Sequence, residues 1–187
     1  MSDPSGSADS ALTRGLTDAD REVFSGSIAA VKESGQTRWI ARVVESRVGD
    51  PLDYYARAGT TDRFLWSHSE ERRSMVAVGV VDEMESSGSS RFADARSWMS
   101  SVRQRIDWIG DARGEGEATF FGGFGFEETS RGGEEWKSFP AARFFLPEVI
   151  AERNGEEGRW VFLARINSAS TAESVEADLE ARAAISV

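Results

Sequence analysis

Apolar residues recur along the chain in two periods, and the changes from one to the other mark out its elements. Between Asp18 and Val31, the residues Phe24, Ile28 and Val31 fall on one helical face, with Thr17 or Asp18 as the N-cap. Past the Ser34-Gly35 breaker the period becomes two. Trp39, Ala41 and Val43 share one face and Ile40 and Val44 the other, which predicts a strand over Arg38 to Glu45 buried on both sides. Asp50-Pro51 opens a short helix through Arg57, because proline at the first helical position gives up no hydrogen bond. Arg63 to Ser67 and Ser74 to Val81 then read as the two strands of a hairpin with a charged tip around Ser69 to Arg73.

After the loop Ser86-Ser87-Gly88-Ser89-Ser90 the helical period returns. Phe92, Ala95, Met99, Val102, Ile106 and Ile109 predict one helix ending at Gly110. Ala118 to Phe126 is an aromatic and glycine strand, whose glycines mark close passage of a neighbouring backbone. A polar loop from Glu127 to Lys137 leads to a hairpin: Phe139 to Arg153 going out, Asn154-Gly155 closing it, Arg159 to Ile166 returning. The last helix, Thr171 to Ala184, is opened by Ser170-Thr171-Ala172-Glu173 as a capping box and carries a thin stripe of Val175, Leu179 and Ala183. Hairpins with helices inserted between them predict an α+β fold, an antiparallel β-sheet with helices packed on it. Residues 1–18, rich in Ser, Asp and Gly, read as a flexible tail, and 19–187 as one sheet-and-helix unit whose sparse last helix suggests that it is incomplete.

Composition narrows the chemistry. The 187 residues hold 32 Asp+Glu against 22 Lys+Arg, a net charge of −10, no cysteine and one histidine. Nucleic acid and anionic membrane are excluded as expected partners, since phosphate binding relies on clustered cations. Without cysteine there is no disulfide, thiolate nucleophile or Cys-bearing zinc site, and His68 alone cannot make a two-histidine metal site. Only Lys32 and Lys137 are lysines; the other cations are arginines, the better residue for gripping carboxylates in a fork. No run approaches the roughly 20 apolar residues of a membrane span, and the cytoplasm is the expected location.

The candidate motifs have simpler structural explanations. Gly114-Glu115-Gly116 and Gly122-Gly123-Phe124-Gly125 fit neither phosphate-loop pattern. Glu127-Glu128, Glu134-Glu135 and Glu156-Glu157 flank glycines in predicted loops, the setting of solvated surface. His68, at a strand end after Trp66-Ser67, has no fixed acid or nucleophile beside it in sequence. Phe120, Phe121, Phe124, Phe126, Trp136, Phe139, Phe144, Phe145 and Trp160 read as core.

Three stretches in order carry a family resemblance: Phe64-Leu65-Trp66; then Phe120-Phe121-Gly122-Gly123-Phe124-Gly125-Phe126; then Glu135-Trp136 with Phe139-Pro140-Ala141-Ala142-Arg143-Phe144-Phe145-Leu146-Pro147-Glu148. Together, over roughly Trp39 to Ile166, they resemble the amino-terminal half of isochorismate synthases, the chorismate-binding enzymes of menaquinone and siderophore pathways. The resemblance implies the anthranilate synthase component I-like fold and a Mg²⁺-dependent conversion of chorismate to isochorismate. In that family a lysine in a K-x-V-L-A-R tract is the base, a glutamate the acid, and further glutamates hold Mg²⁺. Trp160-Val161-Phe162-Leu163-Ala164-Arg165 echoes that tract, but Trp160 stands at the lysine's place and the stretch reads as the second hairpin strand. No catalytic, cofactor-binding or metal-ligating residue is therefore carried onto this chain. What the resemblance implies is a truncated, inactive scaffold that would meet chorismate only together with a carboxy-terminal catalytic half. A stand-alone partner-binding module and a part of an anthranilate or aminobenzoate synthase are the alternatives.

Overall fold

In a computed structural model of the protein, residues 15–59, 62–111, 116–127 and 139–185 are described. Two sheets organise them. The larger has the strand order β2-β3-β8-β9-β1-β5: β2 Arg63–His68, β3 Arg73–Val78, β8 Val149–Asn154, β9 Glu157–Ile166, β1 Arg38–Glu45 and β5 Ile106–Gly110. The smaller has the order β4-β7-β6: β4 Asp82–Ser86, β7 Ala142–Leu146 and β6 Phe121–Phe124. All pairings among these strands are antiparallel except β1 with β5, which run parallel. This is the expected α+β fold, with one parallel edge added.

The large sheet separates two cores. On one side pack α1 (Asp18–Ser34), α2 (Pro51–Arg57) and α4 (Ala172–Ile185), burying Phe24, Ile28, Ile40, Phe162, Val175 and Leu179. On the other lie the small sheet and α3 (Arg91–Arg103), burying Trp39, Ala41, Val43, Val102, Phe121 and Leu146. The alternation read along β1 is thus realised residue by residue, with Trp39, Ala41 and Val43 in one core and Ile40 and Val44 in the other. The thin stripe of α4 is fully used: Val175, Leu179 and Ala183 are all buried.

Helix ends follow their local chemistry. Thr17 caps α1 in a reciprocal box, its Oγ1 accepting the Asp20 amide at 3.2 Å while its own amide donates to Asp20 Oδ2 at 2.9 Å. Leu16 is buried in the core, so the fold reaches back into the stretch expected to be tail; residues 1–14 lie outside the described residues. At α4 the box is formed by Thr171 and Ser174, not by Ser170 and Glu173. The Ser174 amide donates to Thr171 Oγ1 and the Thr171 amide to Ser174 Oγ.

Four further elements differ from expectation. The helix predicted through Ile109 stops at Arg103, and Ile106–Gly110 is strand β5. Ile106 and Ile109 satisfied the helical period, yet Ile106 and Trp108 face one core and Ile109 the other, which is the period of a strand buried on both sides. Strand β4 was not expected at all, since Asp82-Glu83-Met84-Glu85-Ser86 is too polar to read as one and forms only because β7 pairs with it. The aromatic strand shortens to four residues. The run from Phe139 to Arg153 is two strands in different sheets, broken at Pro147. The hairpin β8-β9 forms as predicted, with Asn154 paired to Glu157 around Gly155-Glu156.

Candidate functional site

The segment Phe139 to Glu148 builds the corner between the two sheets. β3 passes into β4 at Gly79, and β7 passes into β8 at Pro147-Glu148, side by side. The paired ribbon keeps its hydrogen bonds through the bend: Val81 amide to Leu146 carbonyl at 2.9 Å, Glu148 amide to Val78 carbonyl at 3.1 Å, Leu163 amide to Glu148 carbonyl at 2.8 Å. Each residue type has a physical reason there. Ala141 and Ala142 are small because they are buried beside β6, Leu146 is fully buried, and proline at 147 ends pairing in one sheet before the next begins. The Glu148 carboxylate accepts from Arg182 Nη2 at 3.4 Å, fastening α4 to the corner.

Of the two glycines of β6, Gly122 is the one the structure requires. Its φ is +149°, and a side chain would meet the β7 backbone, 2.7 Å from the Phe144 Cα. The close approach predicted for this strand is therefore real and lies against β7.

An aromatic groove opens beside this small sheet. Phe92 and Met99 from α3, Phe124 from β6 and Phe144 from β7 line it together with Arg96 and Arg103, enclosing about 360 Å³. The rings of Phe92 and Phe124 sit 4.4 Å apart, and those of Phe124 and Phe144 4.8 Å apart. Phe92 is 51% exposed and Phe124 41%, while Phe126 and Phe139 nearby in sequence are also exposed. The expected aromatic core is thus divided. Phe121 and Trp160 are buried and Phe120, Phe144 and Phe145 half-buried; Phe124, Phe126 and Phe139 face outward, and Trp136 lies outside the described residues.

On the small sheet Arg143 gathers three carboxylates, two from β4 and one from the residue before β2. It donates to Glu83 Oε2 at 2.8 Å and Asp62 Oδ1 at 3.3 Å, with Glu85 Oε1 at 3.8 Å. The hydrogen bond to Glu83, reinforced by Asp62, holds its guanidinium above the ordinary arginine range. Glu148 is engaged by Arg182, and Glu152 by Arg73 and Arg159. Among the described residues these carboxylates are matched to arginines, and no group of three acidic or histidine side chains is placed to hold a metal. They do not fit Mg²⁺, and no step through it is assigned to them.

The other sequence candidates scatter. His68 ends β2, stacks on Trp66 at 6.2 Å and accepts the Glu71 amide on Nδ1 at 3.3 Å, a hairpin contact. Glu156 lies in the β8-β9 turn and Glu157 opens β9, and Glu127 is exposed. Gly114, Glu115, Glu128, Glu134 and Glu135 lie outside the described residues. Trp160, at the place of the lysine in the echoed tract, packs edge-on against Tyr54 at 5.1 Å as part of β9. Neither the Arg143 cluster nor the groove was foreseen: β4, which supplies Glu83 and Glu85, carries no strand signal of its own, and the groove forms only where α3 packs beside β6 and β7.

Residues 26–186 match the family model described as chorismate binding enzyme. The chain belongs to the chorismate-binding enzymes. Over 154 residues it is 27% identical to isochorismate synthase MenF of Bacillus subtilis (strain 168), a match covering 77% of this chain and 32% of that protein. The solved structure of MenF, the menaquinone-specific isochorismate synthase from Escherichia coli, superposes with a TM-score of 0.50 at 13% identity, over 88% of this chain and 34% of that one. The chain therefore has the fold of the chorismate-utilising enzymes and spans about a third of the length of these relatives. No helix among the described residues is long and apolar enough to cross a membrane.

Proposed function

We propose that the chain is the amino-terminal scaffold of an isochorismate synthase, and that the groups which move protons and hold Mg²⁺ and substrate come from polypeptide outside it. The observation that carries this reading is the use made of the family motif. Ala141, Ala142, Leu146, Pro147 and Glu148 are all spent on joining two sheets, so the chain's most family-specific residues are structural. The reaction adds water at one ring carbon of chorismate and releases hydroxide from another. It therefore needs a positioned base, a positioned acid and cations against a dianion. Carboxylates already paired to arginines are poor candidates for that work.

Isochorismate formation is favoured over anthranilate or aminobenzoate synthesis by the F-P-A-A-x-x-x-L-P-E stretch and by the sequence similarity to the isochorismate synthase of Bacillus subtilis. A role in menaquinone formation is supported by the shared fold of the menaquinone-specific enzyme from Escherichia coli. The purified chain given chorismate and Mg²⁺ is expected to form no isochorismate, followed by chromatography. Turnover above the uncatalysed background overturns the proposal. Coding DNA beside the gene is expected to hold a K-x-V-L-A-R tract in one of its frames.

A further inference from the structure

Helix α3 carries three arginines against one aspartate, in a chain whose net charge is −10. Asp94 falls across the helix from Phe92 by its spacing, tied to the hydroxyls of Ser86 and Ser90. Arg96 and Arg103 line the aromatic groove; both are exposed, and neither enters an ion pair among the described residues. Arg91 is 6% exposed, with its guanidinium 4.4 Å from the centre of the Phe92 ring. Its Nη1 donates to the Gly88 carbonyl at 3.0 Å, and its Nε has no partner. Buried charges are ordinarily paired, yet no carboxylate among the described residues meets this one. Three guanidinium groups without a counter-charge therefore stand around exposed phenylalanines, which suits an occupant with an apolar body and anionic groups.

We infer that this groove docks an acidic, amphipathic helix of another polypeptide chain. Arg96 and Arg103 stand two turns apart, about 10 Å along α3, and the groove between them opens along the helix. Exposed rings continue past it in sequence: Phe126, two residues after Phe124, is 107% exposed. A one- or two-ring molecule fills the groove but reaches neither both cations nor that further apolar surface. A helix lying along α3 does. Carboxylates seven positions apart on it repeat the spacing of Arg96 and Arg103, and apolar residues three and four positions after the first share their face, over the groove. Phenylalanine and arginine are also the residue types enriched where proteins meet. A site this small lies below the roughly 1,200 Å² of a stable interface, so the docking is weak and reversible.

The probe is a labelled synthetic helix with two glutamates seven positions apart and leucines three and four positions after the first, followed by fluorescence anisotropy against the full chain. Saturable binding below about 1 mM is expected, weakening as salt rises. The same peptide with lysines for the glutamates binds roughly ten-fold more weakly, although the net charge of −10 favours it. The Arg96→Glu, Arg103→Glu double variant reverses that preference, and Phe92→Asp weakens binding roughly ten-fold or more. Arg57→Glu, at the end of α2, leaves it unchanged. Failure of the glutamate peptide to bind overturns the inference, as does a preference for the lysine peptide, indifference to Arg96 and Arg103, or loss with Arg57→Glu. Self-association of the chain that Phe92→Asp abolishes also overturns it, by giving the groove to a second copy. If a groove variant lacks the wild-type circular dichroism and cooperative melt, NMR of the unmodified chain decides: the peptide must shift amides of α3, β6 and β7, and shifts confined to other elements refute the docking.

Discussion

The Glu148 carboxyl fills the space into which any side chain at Gly79 would point, its Cδ 2.7 Å from where that Cβ would stand. Gly79 sits in the left-handed region at φ +72°, at the point where β3 leaves one sheet for the other, and Glu148 sits where β7 makes the same crossing. Glycine at 79 is thus required by the backbone, and the carboxyl has settled where glycine leaves room.

Gly79→Ala is expected to destabilise the chain by about 1–3 kcal/mol, from backbone strain plus displacement of Glu148. Urea unfolding reads the loss. Adding Glu148→Ala recovers only the steric share, because the conformation at 79 is unchanged. A double variant restored to wild-type stability contradicts the claim that φ dominates.

Arg38 grips Asp107 with both arms, Nε to Oδ2 at 2.8 Å and Nη2 to Oδ1 at 2.7 Å, while Ser27 Oγ donates to the same carboxylate at 2.6 Å. Three elements, α1, β1 and β5, meet there. Asp107→Asn removes the charge and one acceptor at nearly constant shape, and is expected to cost about 1–2 kcal/mol of unfolding free energy, read by urea titration. The parallel edge strand should exchange its amides faster as a result.

Asp94 accepts the hydroxyls of Ser86 at 2.6 Å and Ser90 at 2.9 Å, which hold its carboxyl below the ordinary aspartate range. A depressed folded value means that its contribution to stability is present above the unfolded value and fades as pH falls through the folded one, below about pH 4. Carboxyl NMR titration is expected to find Asp94 low. The Ser86→Ala, Ser90→Ala double variant returns it to the ordinary value.

Two phenylalanines of one strand should behave oppositely. Phe121 is 5% exposed between Phe64 and Phe145, whereas Phe124 is 41% exposed in the groove. Phe121→Ala is expected to cost about 3–4 kcal/mol. Phe124→Ala costs about 1 kcal/mol or less, since much of its ring is already in water. Equal losses show that the groove is closed in solution.

Much of the fold was legible because single residues carried local signals. Thr17 and Asp50 announced helix starts, the alternation of Trp39 to Val44 announced a central strand, and the chain around Asn154-Gly155 announced a hairpin. Ile106 and Ile109 misled, since two apolar residues three apart suit a helix face and also a strand that meets a core on each side. Asp82 to Ser86 gave no signal, because the stabilisation of that edge strand lies in β7, sixty residues away in the Arg143–Glu83 contact.

The sequence by itself determined the helix starts, the central strand β1 with its two inward faces, the β8-β9 hairpin, and the motif that marks the chain as a chorismate-binding enzyme, because capping, side-chain period and residue size act within a few positions. Only the tertiary structure decided that the run Phe139 to Arg153 belongs to two sheets, that three aromatics face outward, and that Arg143 draws Asp62, Glu83 and Glu85 together. Those outcomes depend on pairings between distant strands, whose free energy comes from contacts that neither partner's sequence contains alone.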